Sequence, residues 1–149
     1  GRYGCLEAYA SATALLKRAQ EGFDAGVPTK LRDDWEKTDA ADRALLIDNL
    51  NKSGDAFCRQ LIRETAYYLA VGATNLMHTI DPDMVVFGGG MSKSGSEFLQ
   101  WIREDIQKLA FPAPAAGTEI VYAELGSNAG YIGAAGCARL HGSRVRGNV

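Results

Sequence analysis

Two short stretches carry residue types that can do chemistry. The first is MVVFGGGMSKSG, where Gly88, Gly89 and Gly90 follow an apolar run. Residues without a Cβ let a ligand touch the main chain, and a helix starting just beyond them offers free N–H groups and a dipole that favour phosphate. Two phosphate fingerprints fail. No Gly-Lys pair stands where GxxxxGK[ST] needs one, and Lys93 takes the place of the third glycine of GxGxxG. The glycines therefore read either as a ligand loop or as a tight strand-to-helix turn, and a place at the carboxyl end of a strand favours the ligand.

The second stretch is GRYGCLEAYAS at the start, with Cys5 and Glu7 two residues apart. A lone cysteine is most often a small buried hydrophobe, and a glutamate in a first helical turn complements the helix dipole. Neither identifies a site by itself. Cys58 and Cys137 have no ligand spacing, nor do His78 and His141, and His78 reads as a helix-end residue. Three scattered cysteines suit a reducing cytoplasm better than a disulfide framework.

The elements that must hold these stretches follow from composition and period. The chain has 149 residues, 46% of them hydrophobic, and a formal net charge of -2. That is enough for one globular domain, and it offers no basic field for nucleic acid. No apolar run reaches the length of a membrane span, and no secretion signal opens the chain. An Ala- and Leu-rich helix is expected from Leu6 to about Glu21, stopped by Gly22, Gly26 and Pro28. The polar stretch from Pro28 to Asn51 reads as loop, with a short helix over Asp42 to Leu50. Phe57, Leu61, Thr65, Leu69, Gly72, Leu76 and Ile80 recur at helical spacing and mark one long helix, with a small residue at Gly72 where another backbone can approach. Asp81-Pro82 stops it.

MVVF then reads as a strand buried on both faces. Ser94 and Glu97 are spaced as a capping box for a helix carrying Phe98, Trp101, Ile102, Ile106 and Leu109. FPAPAAG is a connector, EIVYAEL a second strand, and AGYIGAAGCARL a last helix ending near Gly142. In that helix Gly130, Gly133, Ala134 and Ala135 read as packing residues. Residues 143–149 read as a loose, solvated tail. Strand, helix, strand, helix implies two parallel strands joined by a right-handed crossover, and the fold class α/β.

Together these stretches resemble the ROK family, the group of sugar kinases and transcriptional repressors built on the actin-like ATPase fold. Gly1-Arg2-Tyr3-Gly4-Cys5-Leu6-Glu7 is similar to the second half of that family's CxCGxxGCxE signature, and AYAS follows it as is typical there. DPDMVVFGGGMSKSG is similar to the family's late strand and glycine loop, and AGYIGAAGCARL to its final helix. The resemblance covers the whole chain. It implies one partial domain over residues 1–149, the carboxyl-terminal half of an actin-like ATPase (ribonuclease H-like) fold on the nucleotide side of a longer kinase.

The resemblance also implies roles. Cys5 would be one of three cysteines that hold a structural zinc with a histidine in the parent protein. The other ligands would precede Gly1, so Cys5 alone should bind no zinc tightly. Glu7 would accept hydrogen bonds from hydroxyls of a bound hexose, work that suits an acceptor-only carboxylate. Gly88, Gly89 and Gly90 would line ATP carried as its magnesium complex. The phosphate loop and catalytic aspartate would lie ahead of Gly1, leaving no catalytic residue in this chain. The expected parent is a cytoplasmic, ATP-dependent, glucokinase-like hexose kinase acting on the sugar 6-hydroxyl. The alternative is a sugar-responsive repressor that uses Glu7 to sense sugar and an upstream helix-turn-helix to bind DNA, and a third is a standalone fragment for binding or assembly. The expected partners are a hexose and either a second copy or an amino-terminal half, because two strands alone leave an open sheet edge; neither nucleic acid nor membrane is expected.

Overall fold

Helix α5, Ala56–Ile80, is the axis on which the other helices are laid, in a computed structural model that describes residues 3–146. Its start is fixed by Asp55, whose carboxylate accepts the Cys58 N–H at 2.9 Å. Its end is fixed by Asp81, left-handed at φ 47°, directly before Pro82. The buried face begins on Phe57, Leu61 and Thr65 as expected but continues through Ala66, Ala70, Ala73 and Met77, while Leu76 and Ile80 are exposed. At 3.6 residues per turn, the near-fourfold spacing from Phe57 to Ile80 drifts by about 140°, so one straight stripe cannot face one neighbour throughout.

The single helix expected at the start is two. Helices α1, Glu7–Ala10, and α2, Ala12–Asp24, meet at Ser11, which is extended and caps α2 by accepting the Ala14 N–H at 3.1 Å. Gly22 does not stop α2. It is buried beneath Phe57, where an added Cβ would stand 2.1 Å from the ring's Cζ, and the stop is Gly26 at φ 74°. The polar stretch read as loop holds helix α3, Leu31–Trp35, whose two ends are buried one turn apart. Trp35 meets Phe23 edge-on at 5.1 Å. Helix α4, Arg43–Lys52, follows close to its expected place and packs on α5.

Strands β1, Met84–Phe87, and β2, Glu119–Tyr122, pair in parallel with Val85 opposite Ile120. Between them run α6, Ser96–Leu109, and α7, Pro112–Gly117, the latter within the expected connector. Among the described residues the strands are covered on one face only. Val85, Phe87, Ile120 and Tyr122 pack on the core, whereas Met84 and Val86 are 47% and 53% exposed, so β1 is not buried on both faces. The capping box does not form: Gly95 precedes α6 at φ 91°, Ser94 lies in a 3-10 turn, and Glu97 instead reaches Arg59 of α5 at 2.9 Å. On β2, Arg103 donates to the Ile120 carbonyl at 2.6 and 3.0 Å.

Helices α5 and α6 are clamped by Arg63, which holds the buried Asp105 carboxylate with two hydrogen bonds, one of 2.7 Å. That grip keeps Asp105 below the usual carboxylate range, although burial pushes the other way. Helix α8, Ala129–Arg146, runs past its expected end at Gly142. Residues 131–140 are all exposed, and nothing lies within 4 Å of a Cβ built on Gly130 or Gly133. The packing role expected for Gly130, Gly133, Ala134 and Ala135 therefore has no partner among the described residues. Residues 147–149 of the expected tail lie outside them, and no described helix is long and apolar enough to cross a membrane.

Candidate functional site

The glycine loop leaves the carboxyl end of β1. Gly89 has φ 87° and ψ -167°, a region of the backbone map open essentially to glycine alone. All three glycines are exposed, and a Cβ on Gly89 or Gly90 would meet nothing within 4 Å, while one on Gly88 would rest 3.8 Å from the Ala123 Cβ. On the side where a Cβ would stand, Gly89 and Gly90 thus meet open space at the end of a parallel strand, which leaves room for a ligand lying against them. The α-helix does not start directly behind the glycines. A 3-10 turn, Gly90–Ser94, intervenes, so the amino end of α6 lies farther along than the sequence suggests. The far end of the loop is tied to β2 by the Tyr122 hydroxyl, which donates to the Gly95 carbonyl at 2.9 Å. Burial, with the charge of Asp48, pushes this phenol up and keeps it a donor.

Glu7 sits in the first turn of α1, behind Gly4, whose φ of 84° sets the chain's entry. Its carboxylate is exposed, and no hydrogen bond or ion pair from another described residue reaches it. It lines a hollow of about 180 Å³ with Ser11, Thr13 and Lys17. Both oxygens can accept from hydroxyls there. This hollow does not include the glycines, so the two candidate stretches form separate stations joined through α5, which packs on α1 and leads by Asp81-Pro82 into β1.

Cys5 is exposed, and among the described residues no group of three or more His, Cys, Asp or Glu is placed to hold a metal. The residues present do not fit the structural zinc that the sequence resemblance implies. Cys58 is buried, and burial together with nearby Asp55 pushes its thiol up to about 12, so it is an inert core residue. His78 accepts the Phe111 N–H at 3.0 Å and stacks on that ring at 4.3 Å, a structural duty at the end of α5. The side chain of His141 lies outside the described residues.

The sequence reading missed Arg18. Its guanidinium donates to the Tyr9 carbonyl and to the Thr65 hydroxyl, each at 2.6 Å, and stands 3.5 Å from Glu64. Burial draws its pKa down against the attraction of Glu64. The available signal was a charge on the face that also carries Leu15, Ala19 and Gly22, all buried.

Comparison with known proteins places the chain in a family. The model of the ROK family matches residues 1–140. The chain is similar to a glucokinase of Halalkalibacterium halodurans, 35% identical over 133 residues, which cover 89% of this chain and 40% of that protein. It is also similar to a xylose repressor of Caldicellulosiruptor bescii, 32% identical over 133 residues, or 89% of this chain and 33% of that one. Among solved structures, a ROK family glucokinase from Streptomyces griseus in complex with glucose and AMPPNP superposes with a TM-score of 0.75 at 27% identity, covering 94% of this chain and 46% of that one. The chain thus spans less than half the length of these relatives.

Proposed function

Since the chain belongs to the ROK family and has an α/β, actin-like ATPase fold, we propose that it forms the nucleotide-side part of an ATP-dependent, glucokinase-like hexose kinase that phosphorylates the sugar 6-hydroxyl. The observation that carries the reading is the glycine loop at the carboxyl end of β1, held by a glycine-only conformation at Gly89, with open space where side chains of Gly89 and Gly90 would stand. Magnesium ATP, when bound, supplies the phosphoryl group and the metal that neutralises its charge. In this reading Gly88, Gly89 and Gly90 let the nucleotide lie against the backbone, and the Tyr122–Gly95 hydrogen bond fixes the far end of that surface. Glu7 accepts from sugar hydroxyls and so orients the hexose. The proton-accepting group is not among these residues.

The similarity to a xylose repressor favours a second reading, a sugar-responsive regulator in which Glu7 serves as sensor. The test is glucose-dependent ADP release by the protein as its gene encodes it. Glu7→Gln replaces one acceptor oxygen with a donor, a mismatch that costs about 1–3 kcal/mol. The KM for glucose should therefore rise at least fivefold while the KM for MgATP holds. Absence of turnover with any hexose, together with sugar-dependent binding of DNA, would replace the kinase reading with the regulator.

A further inference from the structure

We infer that Gly72 and Arg18 form a seat that fixes the direction of Glu7, which makes both of them positioning residues for the sugar; the inference rests on Glu7 being the sugar contact. Helix α1 is a single turn of four residues, and Leu6 before it offers no side-chain cap. One turn has no stability of its own, so its orientation is set by what it lies on. It lies on one face of α5, at Tyr68 and Gly72, four residues apart, and Thr65, which Arg18 holds, is one turn before them on that face.

The two anchors bracket Glu7. On one side the Leu6 side chain fills the space above Gly72, where an added Cβ would stand 2.6 Å from Leu6 Cδ2 and 3.2 Å from Cδ1. On the other side the Tyr9 ring lies 5.2 Å from that of Tyr68, and the Tyr9 carbonyl is held by one arm of Arg18. The second arm of Arg18 takes the Thr65 hydroxyl, which in turn donates to the Leu61 carbonyl at 2.9 Å. Arg18 is thereby fixed to α5 as firmly as α1 is fixed to Arg18. The sequence marks Gly72 as a place for a backbone to approach; what approaches is Leu6, the residue between Cys5 and Glu7, and with it α1. A glycine inside a long helix is unfavourable to that helix, and here the missing methyl leaves the room that the end of the Leu6 side chain occupies. Hydroxyl recognition depends on contacts of about 2.7–2.8 Å, and a displacement of about 1 Å in a positioning group can cost a hundredfold in rate.

The test compares Gly72→Ala, the double variant Gly72→Ala/Leu6→Ala, and Arg18→Lys, in the protein as its gene encodes it. The methyl of Gly72→Ala pushes Leu6 away, and the ammonium introduced by Arg18→Lys keeps a charge near Glu64 but cannot span Tyr9 and Thr65. In both single variants the amide NMR signals of Glu7–Ser11 should shift while those of Met84–Phe87 stay. The KM for glucose should rise at least tenfold with the KM for MgATP within twofold. The double variant removes the clash but also the Leu6 anchor, so the KM for glucose should stay raised; full recovery to the wild-type value would show that Leu6 holds nothing in place and overturn the proposal. Shifted amides with an unchanged KM for glucose would reduce the seat to a purely structural feature and overturn the proposal. Equal losses for glucose and MgATP would do the same. A wild-type protein indifferent to every hexose overturns the kinase reading and this inference together, and is recognised without any variant.

Discussion

Gly89 and Gly90 are neighbours with opposite constraints, and the pair separates a nucleotide loop from a mere turn. At Gly89 the backbone stands at φ 87° and ψ -167°. Forcing a residue with a Cβ into that region costs about 1–3 kcal/mol whatever space surrounds it. For a chain of this size that amounts to a fall in Tm of roughly 3–9 °C, at about 3 °C per kcal/mol. Gly90 carries no positive φ, and its Cβ would project into open space. Gly90→Ala should therefore leave stability unchanged or raise it by about 0.4–1 kcal/mol, by narrowing the unfolded ensemble. If a nucleotide occupies that space, the same methyl overpacks it at about 1–3 kcal/mol, which means a loss of affinity for MgATP of about 5- to 150-fold. Thermal melts and calorimetric titration with MgATP read the two effects apart. Gly89→Ala melts early; Gly90→Ala melts normally and binds poorly. A Gly90→Ala protein that is stable and binds MgATP as the wild type does would refute the ligand role of the loop.

Two other outcomes follow from the core. Asp105→Asn removes the charge that Arg63 grips, and because Arg63 is a third exposed and can rehydrate, the loss should be about 1.5 kcal/mol, measured by urea unfolding at pH 7. Arg63 holds the folded Asp105 pKa below its unfolded value, so this stabilisation is complete above the ordinary carboxylate range near 4 and disappears as pH falls through the lower folded value; a gap between wild type and variant that persists in strong acid contradicts the assignment. In the native protein a thiol reagent at pH 8 should label the exposed Cys5 and Cys137 and spare Cys58 until denaturant is added, and rapid labelling of all three would show that the core around Phe57 opens readily.

What the sequence disclosed was local, and what it hid was long-range. The strand Met84–Phe87, the stop at Asp81-Pro82 and the glycines at the strand end follow from neighbouring residues and stand where expected. The break at Ser11 is concealed because alanine-rich sequence flanks it on both sides. Helix α3 is masked by Arg32, Asp33 and Asp34 between its two buried residues, Leu31 and Trp35. Gly22 looks like punctuation, but its meaning depends on Phe57, which lies far along the chain. The seat of Glu7 joins Arg18 to a hydroxyl 47 positions away, and no periodicity announces such a pair. Burial of β1 on both faces is what an apolar parallel strand implies, but the described helices cover only one side and leave Met84 and Val86 exposed.

Helix α8 has a consequence for how the molecule melts. Its exposed stretch from Tyr131 to Leu140 includes Gly133 and Gly136, with Gly130 just before, and each glycine weakens a helix interior by about 1 kcal/mol relative to alanine. With residues 131–138 exposed and three glycines in or beside them, this part of α8 draws little stability from burial, so it should open at a lower free energy than the core. Warming should bleed helical signal gradually before the core gives way in one step, and a protease should cut between 130 and 140 while the remainder stays intact. Whatever surface comes to cover α8 must devote part of its binding free energy to halting that fluctuation, so the fit is selective rather than tight.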